Sequence, residues 1–211
     1  MSFEREANLD VLIQGAGIGG LTLAIAMIRK GHVVRIVERA SGLAEVGAGI
    51  WMAANPTQIF DRLGFAEKIM AAGWPVHRLT LQDHNGDILQ ASDLSAVAKL
   101  FGFETIALPR SALQRVLAEQ LPSDAVTFGT EVKKLSQGTN AVSVLLTDGS
   151  RINAKVVVGA DGIRSQIRKL AGLDGKMAGG KMRYSGSSSY RAITRGANLL
   201  FPELDHEAYE I

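Results

Sequence analysis

The segment Asp10-Val-Leu-Ile-Gln-Gly-Ala-Gly-Ile-Gly-Gly-Leu-Thr-Leu-Ala-Ile-Ala-Met-Ile-Arg-Lys-Gly-His-Val-Val-Arg-Ile-Val-Glu38 changes character three times. It opens with a short apolar run of the kind that forms a strand buried in a parallel sheet. The run leads straight into Gly15, Gly17 and Gly20, which stand at G-x-G-x-x-G spacing. Those positions serve a tight turn, close approach of backbone to a pyrophosphate, and close packing of a helix on a strand. A helix opening there turns free amides and the positive end of its dipole toward phosphate. The helix ends near Gly31, Val33 to Val37 follows as a second strand, and Glu38 stands at its carboxyl end, where a carboxylate binds ribose hydroxyls. Strand, glycines, helix, strand and acid in this order predict a dinucleotide-binding unit. They do so equally for FAD and for a nicotinamide coenzyme.

The surrounding composition is that of an ordinary globular protein: 211 residues, 46% hydrophobic and 21% charged, enough to bury a substantial core. The formal charge is only +2 and the basic residues are scattered, so neither nucleic acid nor an anionic membrane is indicated as a partner. The absence of cysteine excludes disulfides, thiolate nucleophiles and cysteine-ligated metals, and fits an intracellular setting. His32, His77, His84 and His206 show no metal-ligand spacing, and no metal site is expected. The longest early apolar stretch, Leu21 to Ile28, ends at Arg29-Lys30, far short of the roughly twenty residues that cross a bilayer. Met1 to Asn8 mixes acidic and basic residues and does not read as a secretory signal. The expected location is the cytoplasm.

Further along, Val46-Gly-Ala-Gly-Ile50 reads as a second glycine-rich turn, and Asn55 to Gly64 as a capped helix with Pro56 in its first turn. Phe65 to Ala72 continues as another helix, closed by Gly73. The period then changes: Arg78 to Gln82 and Asp87 to Gln90 flank Asn85-Gly86, a strong hairpin signal. Pro109 to Leu121 is amphipathic, with Leu113, Val116, Leu117 and Leu121 on one face. Arg110 opens that helix, where a cation opposes the dipole unless it is held there to meet phosphate. Three or four strands are expected between Val126 and Val158, with Asp148-Gly149 as a structural hairpin turn. Finally, Ala154 to Arg168 repeats strand, glycine turn and helix, placing Asp161 and Gly162 at another strand's carboxyl end as a second cofactor contact.

Taken in order, Gly15-Ala16-Gly17-Ile18-Gly19-Gly20, Glu38-Arg39, Gly47-Ala-Gly49-Ile50, Arg110 and Gly159-Ala-Asp161-Gly162-Ile-Arg-Ser165 resemble the class A flavoprotein monooxygenases, the aromatic hydroxylase family that includes salicylate, para-hydroxybenzoate and urate hydroxylases. The resemblance covers nearly the whole chain, and Gly-Ala-Asp-Gly is its most specific element. It implies an α/β fold: a Rossmann-like FAD-binding domain with a parallel sheet, residues 1–75 and 105–175, plus part of an antiparallel-sheet substrate domain, residues 76–104 and 176–211. It implies that Gly15 to Gly20 line the FAD pyrophosphate, that Glu38 holds the adenosine ribose, and that Arg110 meets the phosphate and ribose region. Asp161 would contact FAD and serve the nicotinamide path, with Arg39, Gly49 and Gly162 in the same site. Tyr190-Arg191 resembles the strand motif whose arginine lies near the flavin ring, which makes Arg191 the one candidate for a catalytic role. The implied activity hydroxylates an aromatic or heteroaromatic ring: NADH or NADPH reduces FAD, oxygen adds to the reduced flavin, and the flavin hydroperoxide passes one oxygen atom to the substrate. The residues themselves show no catalytic base, Ser-His-Asp arrangement or paired carboxylates.

One family element does not follow Arg191, the Gly-Asp motif whose aspartate contacts the ribityl chain. The chain is therefore expected to be the N-terminal part of a longer enzyme, without the last strand and helices of the cofactor domain or much of the substrate pocket. A second chain or a homo-oligomer would then cover the apolar surface left open. A non-catalytic FAD-binding fragment is the alternative. A nicotinamide-dependent dehydrogenase is a more distant one, since it would share the first unit without needing the Asp161 element.

Overall fold

The computed structural model describes residues 8–43, 49–173 and 184–188, together with the backbone of 207–210. Tyr190 and Arg191 lie outside the described residues, as does Val46 to Ala48 of the second glycine-rich segment. In chain order the elements are β1 (Asn8–Gln14), α1 (Ile18–Arg29), β2 (Val34–Glu38), β3 (Gly49–Met52), α2 (Ala54–Arg62), α3 (Ala66–Ala71), β4 (Trp74–Pro75), β5 (Arg78–Gln82), β6 (Ile88–Asp93), α4 (Leu94–Phe101), β7 (Ile106–Pro109), α5 (Arg110–Ala118), β8 (Val126–Phe128), β9 (Val132–Gln137), β10 (Val142–Leu146), β11 (Arg151–Gly159), α6 (Gln166–Leu170) and β12 (Glu207–Glu210). They form two compact units, Met1–Glu45 with Leu117–Ser188, and Val46–Val116 with Ser189–Ile211. The fold is α/β, as the sequence predicts.

The first unit is built on a six-stranded sheet in the order β8-β2-β1-β11-β10-β9. β1 runs parallel to both β2 and β11, and β2 runs parallel to β8. β10 is antiparallel to β11 and to β9. The central strands are apolar because both faces are covered. Leu12 and Ile13 of β1 and Ile36 and Val37 of β2 are fully buried, each contributing about 1.5–3 kcal/mol relative to an exposed side chain. α1 adds Leu21, Ala24 and Ile25 to the buried set. On the antiparallel side Val132, Val144, Leu146, Ile152 and Ile167 join Leu9, Leu12 and Val37 in one core cluster. The β10–β11 hairpin turns where expected, and Asp148 serves it by accepting from the Ser150 amide at 2.9 Å and hydroxyl at 2.7 Å. Between β8 and β9 the chain is stitched to other strand ends: Gly129 N–H donates to the Ala40 carbonyl at 2.9 Å and Thr130 N–H to the Glu38 carbonyl at 3.1 Å.

In the second unit β3, β7 and β4 make a three-stranded antiparallel sheet. Met52, Ile106 and Leu108 are buried on its inner face, whereas Trp51 and Trp74 pair in register with Ala107 on the other. Gly49 therefore begins a strand and is not part of a turn, because Ile50 and Met52 alternate against Leu108 and Ile106. A second sheet holds the predicted hairpin β5–β6, with β12 parallel to β5. Its turn is broader than Asn85-Gly86 alone, since the Asp83 carboxylate accepts from the Asn85 and Asp87 amides, both at 2.9 Å. α2 starts earlier than read, with Ala53 at its N-cap and Asn55 already inside the helix. α4 was not anticipated: Asp93 caps it by accepting from the Ser95 and Ala96 amides, and Gly102 ends it at φ +75°. α5 appears as predicted, with Leu113 and Leu117 fully buried.

The glycines of the first turn separate into two physical kinds. A Cβ at Gly20 would overlap the Gly15 carbonyl oxygen, whereas one at Gly17 would meet no described atom within 4 Å. Gly20→Ala should therefore destabilise the fold by about 3 kcal/mol, an overpacking cost. Gly17→Ala should cost no more than about 1 kcal/mol, the scale of a weaker N-cap residue. Urea unfolding of the two variants beside the parent chain measures both; equal losses would show that the turn is packed differently.

Candidate functional site

The candidate site lies in the first unit, at the carboxyl ends of β1, β2 and β11. The three strand ends meet there through their backbones. Gly15 N–H donates to the Val37 carbonyl and Ala160 N–H to the Gln14 carbonyl, both at 2.8 Å. Gly15 has φ +109°, and a Cβ there would collide with the Ala160 carbonyl; only glycine takes this conformation at no steric cost. The turn after β1 and the turn after β11 are thus in direct main-chain contact.

α1 starts from this contact with Gly17 as its N-cap residue. Among the described residues no side chain caps the helix, and its first turn contains no acid. The opening amides of an α-helix have no partner within the helix, so here they are available to an anion from outside. Gly17 has φ −73° and ψ 176°, a conformation open to any residue, and among the described residues no neighbour would obstruct a side chain there. Its lack of a side chain is therefore not required by packing among the described residues. It fits a ligand that must approach the main chain, and Gly19, exposed and equally unobstructed, extends the same opening. This residue set fits the pyrophosphate of a dinucleotide such as FAD.

Both predicted acids reach the site, and both are engaged with the protein. Glu38 ends β2, and its carboxylate accepts from the Ala16 amide at 2.8 Å and the Ala40 amide at 2.9 Å. Because a carboxylate has about four acceptor positions, sites remain for hydroxyl donors. Asp161 accepts from the Ser165 hydroxyl at 2.5 Å, the Gln166 amide at 2.6 Å, the Ile167 amide at 3.1 Å and the Gln14 side chain at 3.2 Å. Burial by itself would raise the pKa of Asp161; the Ser165 hydroxyl and the amides of Ile167, Asp161 and Gln166 outweigh it and hold the group below the usual carboxylate range. Ser165 completes the start of α6 by accepting from the Arg168 amide at 3.0 Å. Gly162 follows Asp161, exposed and at φ +78°.

Arg39 is exposed just after β2. Gly49 and Arg110 belong to the second unit, where Gly49 pairs with Pro109, so both stand at one end of the β3–β7 ladder. Arg110 is exposed at the start of α5. Among the described residues no group of three or more His, Cys, Asp or Glu could hold a metal ion, and no helix is long and apolar enough to cross a membrane. Sequence reading missed Gln14 and Ser165, both buried beside Asp161. The signal for Gln14 was present as a lone amide ending an apolar strand.

The depressed pKa has a consequence for stability. A carboxylate whose folded pKa lies below its unfolded one contributes stability above the unfolded value and loses it as pH falls through the folded value. The contribution of Asp161 should be intact at neutral pH and disappear below about pH 4, the ordinary carboxylate range. Asp161→Asn should therefore flatten part of the acid limb of stability against pH, read from thermal melts between about pH 2 and 7. An unchanged acid limb would mean that the Asp161 hydrogen bonds are no stronger in the folded chain than in water.

Comparison with known proteins agrees with this geometry. A family model described as FAD binding domain matches residues 8–189. The aurachin C monooxygenase/isomerase of Stigmatella aurantiaca is 34% identical over 188 residues, covering 89% of this chain and 48% of that protein. The 3-hydroxybenzoate 6-hydroxylase 1 of Aquipseudomonas alcaligenes is 34% identical over 190 residues, covering 87% and 47%. Among solved structures, Klebsiella pneumoniae HpxO complexed with FAD and uric acid superposes with a TM-score of 0.68 at 28% identity, covering 78% of this chain and 42% of that one. The chain thus spans about half the length of the curated relatives it matches. It belongs to the FAD binding domain family and, over these residues, to the class A FAD-dependent monooxygenases.

Proposed function

We propose that this chain is the FAD-holding part of a monooxygenase that hydroxylates an aromatic or heteroaromatic ring. The observation that carries the reading is the start of α1, which no side chain caps among the described residues, beneath Gly17, a glycine that packing among those residues does not need. The amides that open α1 receive the pyrophosphate, with the helix dipole favouring its charge. Glu38, already fixed by the Ala16 and Ala40 amides, accepts from the adenosine ribose through its remaining lone pairs. Asp161 fixes the turn that carries Gly162 to the same strand ends, and Arg39, Gly49 and Arg110 are proposed as cofactor residues from their motifs alone. The cofactor domain on this reading comprises residues 1–75 and 105–175, with residues 76–104 and 176–211 in a substrate domain.

When bound, FAD supplies the redox chemistry, taking electrons from NADH or NADPH and directing one atom of molecular oxygen to the ring. The residues described here bind and orient the cofactor. Arg191 is proposed beside the flavin ring from its motif alone. A chain matching about half of its relatives' length also supports a second reading, a cofactor-binding portion that turns over only with a further segment or a second chain.

Absorbance spectra of the purified chain with and without FAD, followed by NADH and NADPH oxidation with aromatic acids, separate these readings. A perturbed flavin band without coenzyme oxidation supports the cofactor-binding portion, turnover supports the enzyme, and an unperturbed band overturns both. Glu38→Gln should weaken FAD binding by about 1–3 kcal/mol, roughly 5- to 150-fold in Kd. An unchanged Kd in that variant would remove Glu38 from the site.

A further inference from the structure

Gln14 is the last residue of β1, with only 3% of its surface exposed. Its main-chain carbonyl accepts from Ala160 at 2.8 Å. Its side chain spans two further partners: Nε2 donates to Asp161 Oδ2 at 3.2 Å, and Oε1 accepts from the Val132 amide at 2.7 Å. This arrangement admits one orientation of the carboxamide, because the carboxylate needs a donor and the buried N–H needs an acceptor. Glutamate in its ionised form could serve only the amide. An apolar side chain, which would suit the interior of a parallel strand, could serve neither.

We infer that Gln14 is a positioning residue of the cofactor site, its buried carboxamide locking the Asp161 turn to the segment that enters β9. The segment before Val132 is tied to the other side of the site, Thr130 N–H to the Glu38 carbonyl and Gly129 N–H to the Ala40 carbonyl. One side chain thereby couples the turn bearing Asp161 and Gly162 to the strand end bearing Glu38. Donors to the Asp161 carboxylate come from β1 through Gln14 and from the following turn and α6 through Ser165, Gln166 and Ile167. The Arg168 guanidinium of α6 donates to the Ile163 carbonyl at 2.9 Å. The inference rests on the FAD reading for its consequence, but its geometry stands in the chain alone.

The test uses the full chain with aspartate carboxyls labelled with carbon-13, in Gln14→Met, Gln14→Glu and the core control Val144→Ala. Without FAD, the Asp161 titration midpoint should move up in both Gln14 variants and stay in place in the control. With FAD, both Gln14 variants should bind about tenfold more weakly, the scale of one lost hydrogen bond to a charged group. The control, with a core methyl pair removed from the same sheet, should bind as the parent does. Gln14→Glu keeps an acceptor for Val132 and carries the test if Gln14→Met does not fold. An unmoved Asp161 midpoint overturns the inference, as does equal weakening of FAD binding in Val144→Ala. If the parent chain takes up no FAD, the functional reading fails, while the midpoint measured without FAD still decides whether Gln14 sets the state of Asp161.

Discussion

The main-chain contact between the turn after β1 and the turn after β11 is the constraint on which the rest of the first unit depends. Parallel pairing runs in register from Asn8 opposite Asn153 to Gln14 opposite Gly159, so both strands end at one level. Gly15 then turns against the Ala160 carbonyl, and α1 returns with Gly20 against the Gly15 carbonyl. Gly159 leaves room for Ile167 of α6 in the same way. A side chain at Gly15 would force apart the two turns that together form the floor of the site, and one at Gly20 would push α1 off the first of them. Close packing requires glycine at positions 15 and 20, whereas Gly17, open among the described residues, is the glycine that the proposed cofactor approach accounts for.

The acids illustrate how structure and binding share groups. Glu38 and Asp161 look from sequence like ligands waiting for a cofactor, yet each carboxylate is first a fastener of backbone amides. Glu38 holds the loops at Ala16 and Ala40; Asp161 holds the start of α6 and meets Gln14. The bonds to Asp161 favour its ionised form, and on the proposed function both sets prepare the site before a ligand arrives, which lowers the ordering cost of binding. On the proposed function, these residues contribute through the shape they give the main chain as much as through direct contact.

Much of this arrangement was legible in the sequence because local rules and tertiary packing agree there. The strand–glycine–helix–strand order of residues 10–38, the amphipathic α5 and the Asp148 turn all fall where periodicity and turn chemistry place them. Where the reading failed, a non-local pairing won. Gly49 looked like part of a glycine-rich turn but is drawn into a strand by Leu108 and Ile106, more than fifty residues later in the chain. α4 was overlooked although both of its caps, Asp93 and Gly102, were readable; a preceding strand with an exposed apolar pattern obscured the boundary. Gln14 could be seen only as an oddity, since its partners Val132 and Asp161 are 118 and 147 residues away.

The most direct test of the central claim is a residue-resolved map of amide shifts as the full chain is titrated with FAD. The account predicts saturable changes concentrated at the amides of Gly17 to Gly20, around Glu38 and at Asp161 and Gly162, with Val144 and Leu146 in the core of the antiparallel side nearly unaffected. Saturable binding that leaves the start of α1 unperturbed would contradict it, as would no binding at all.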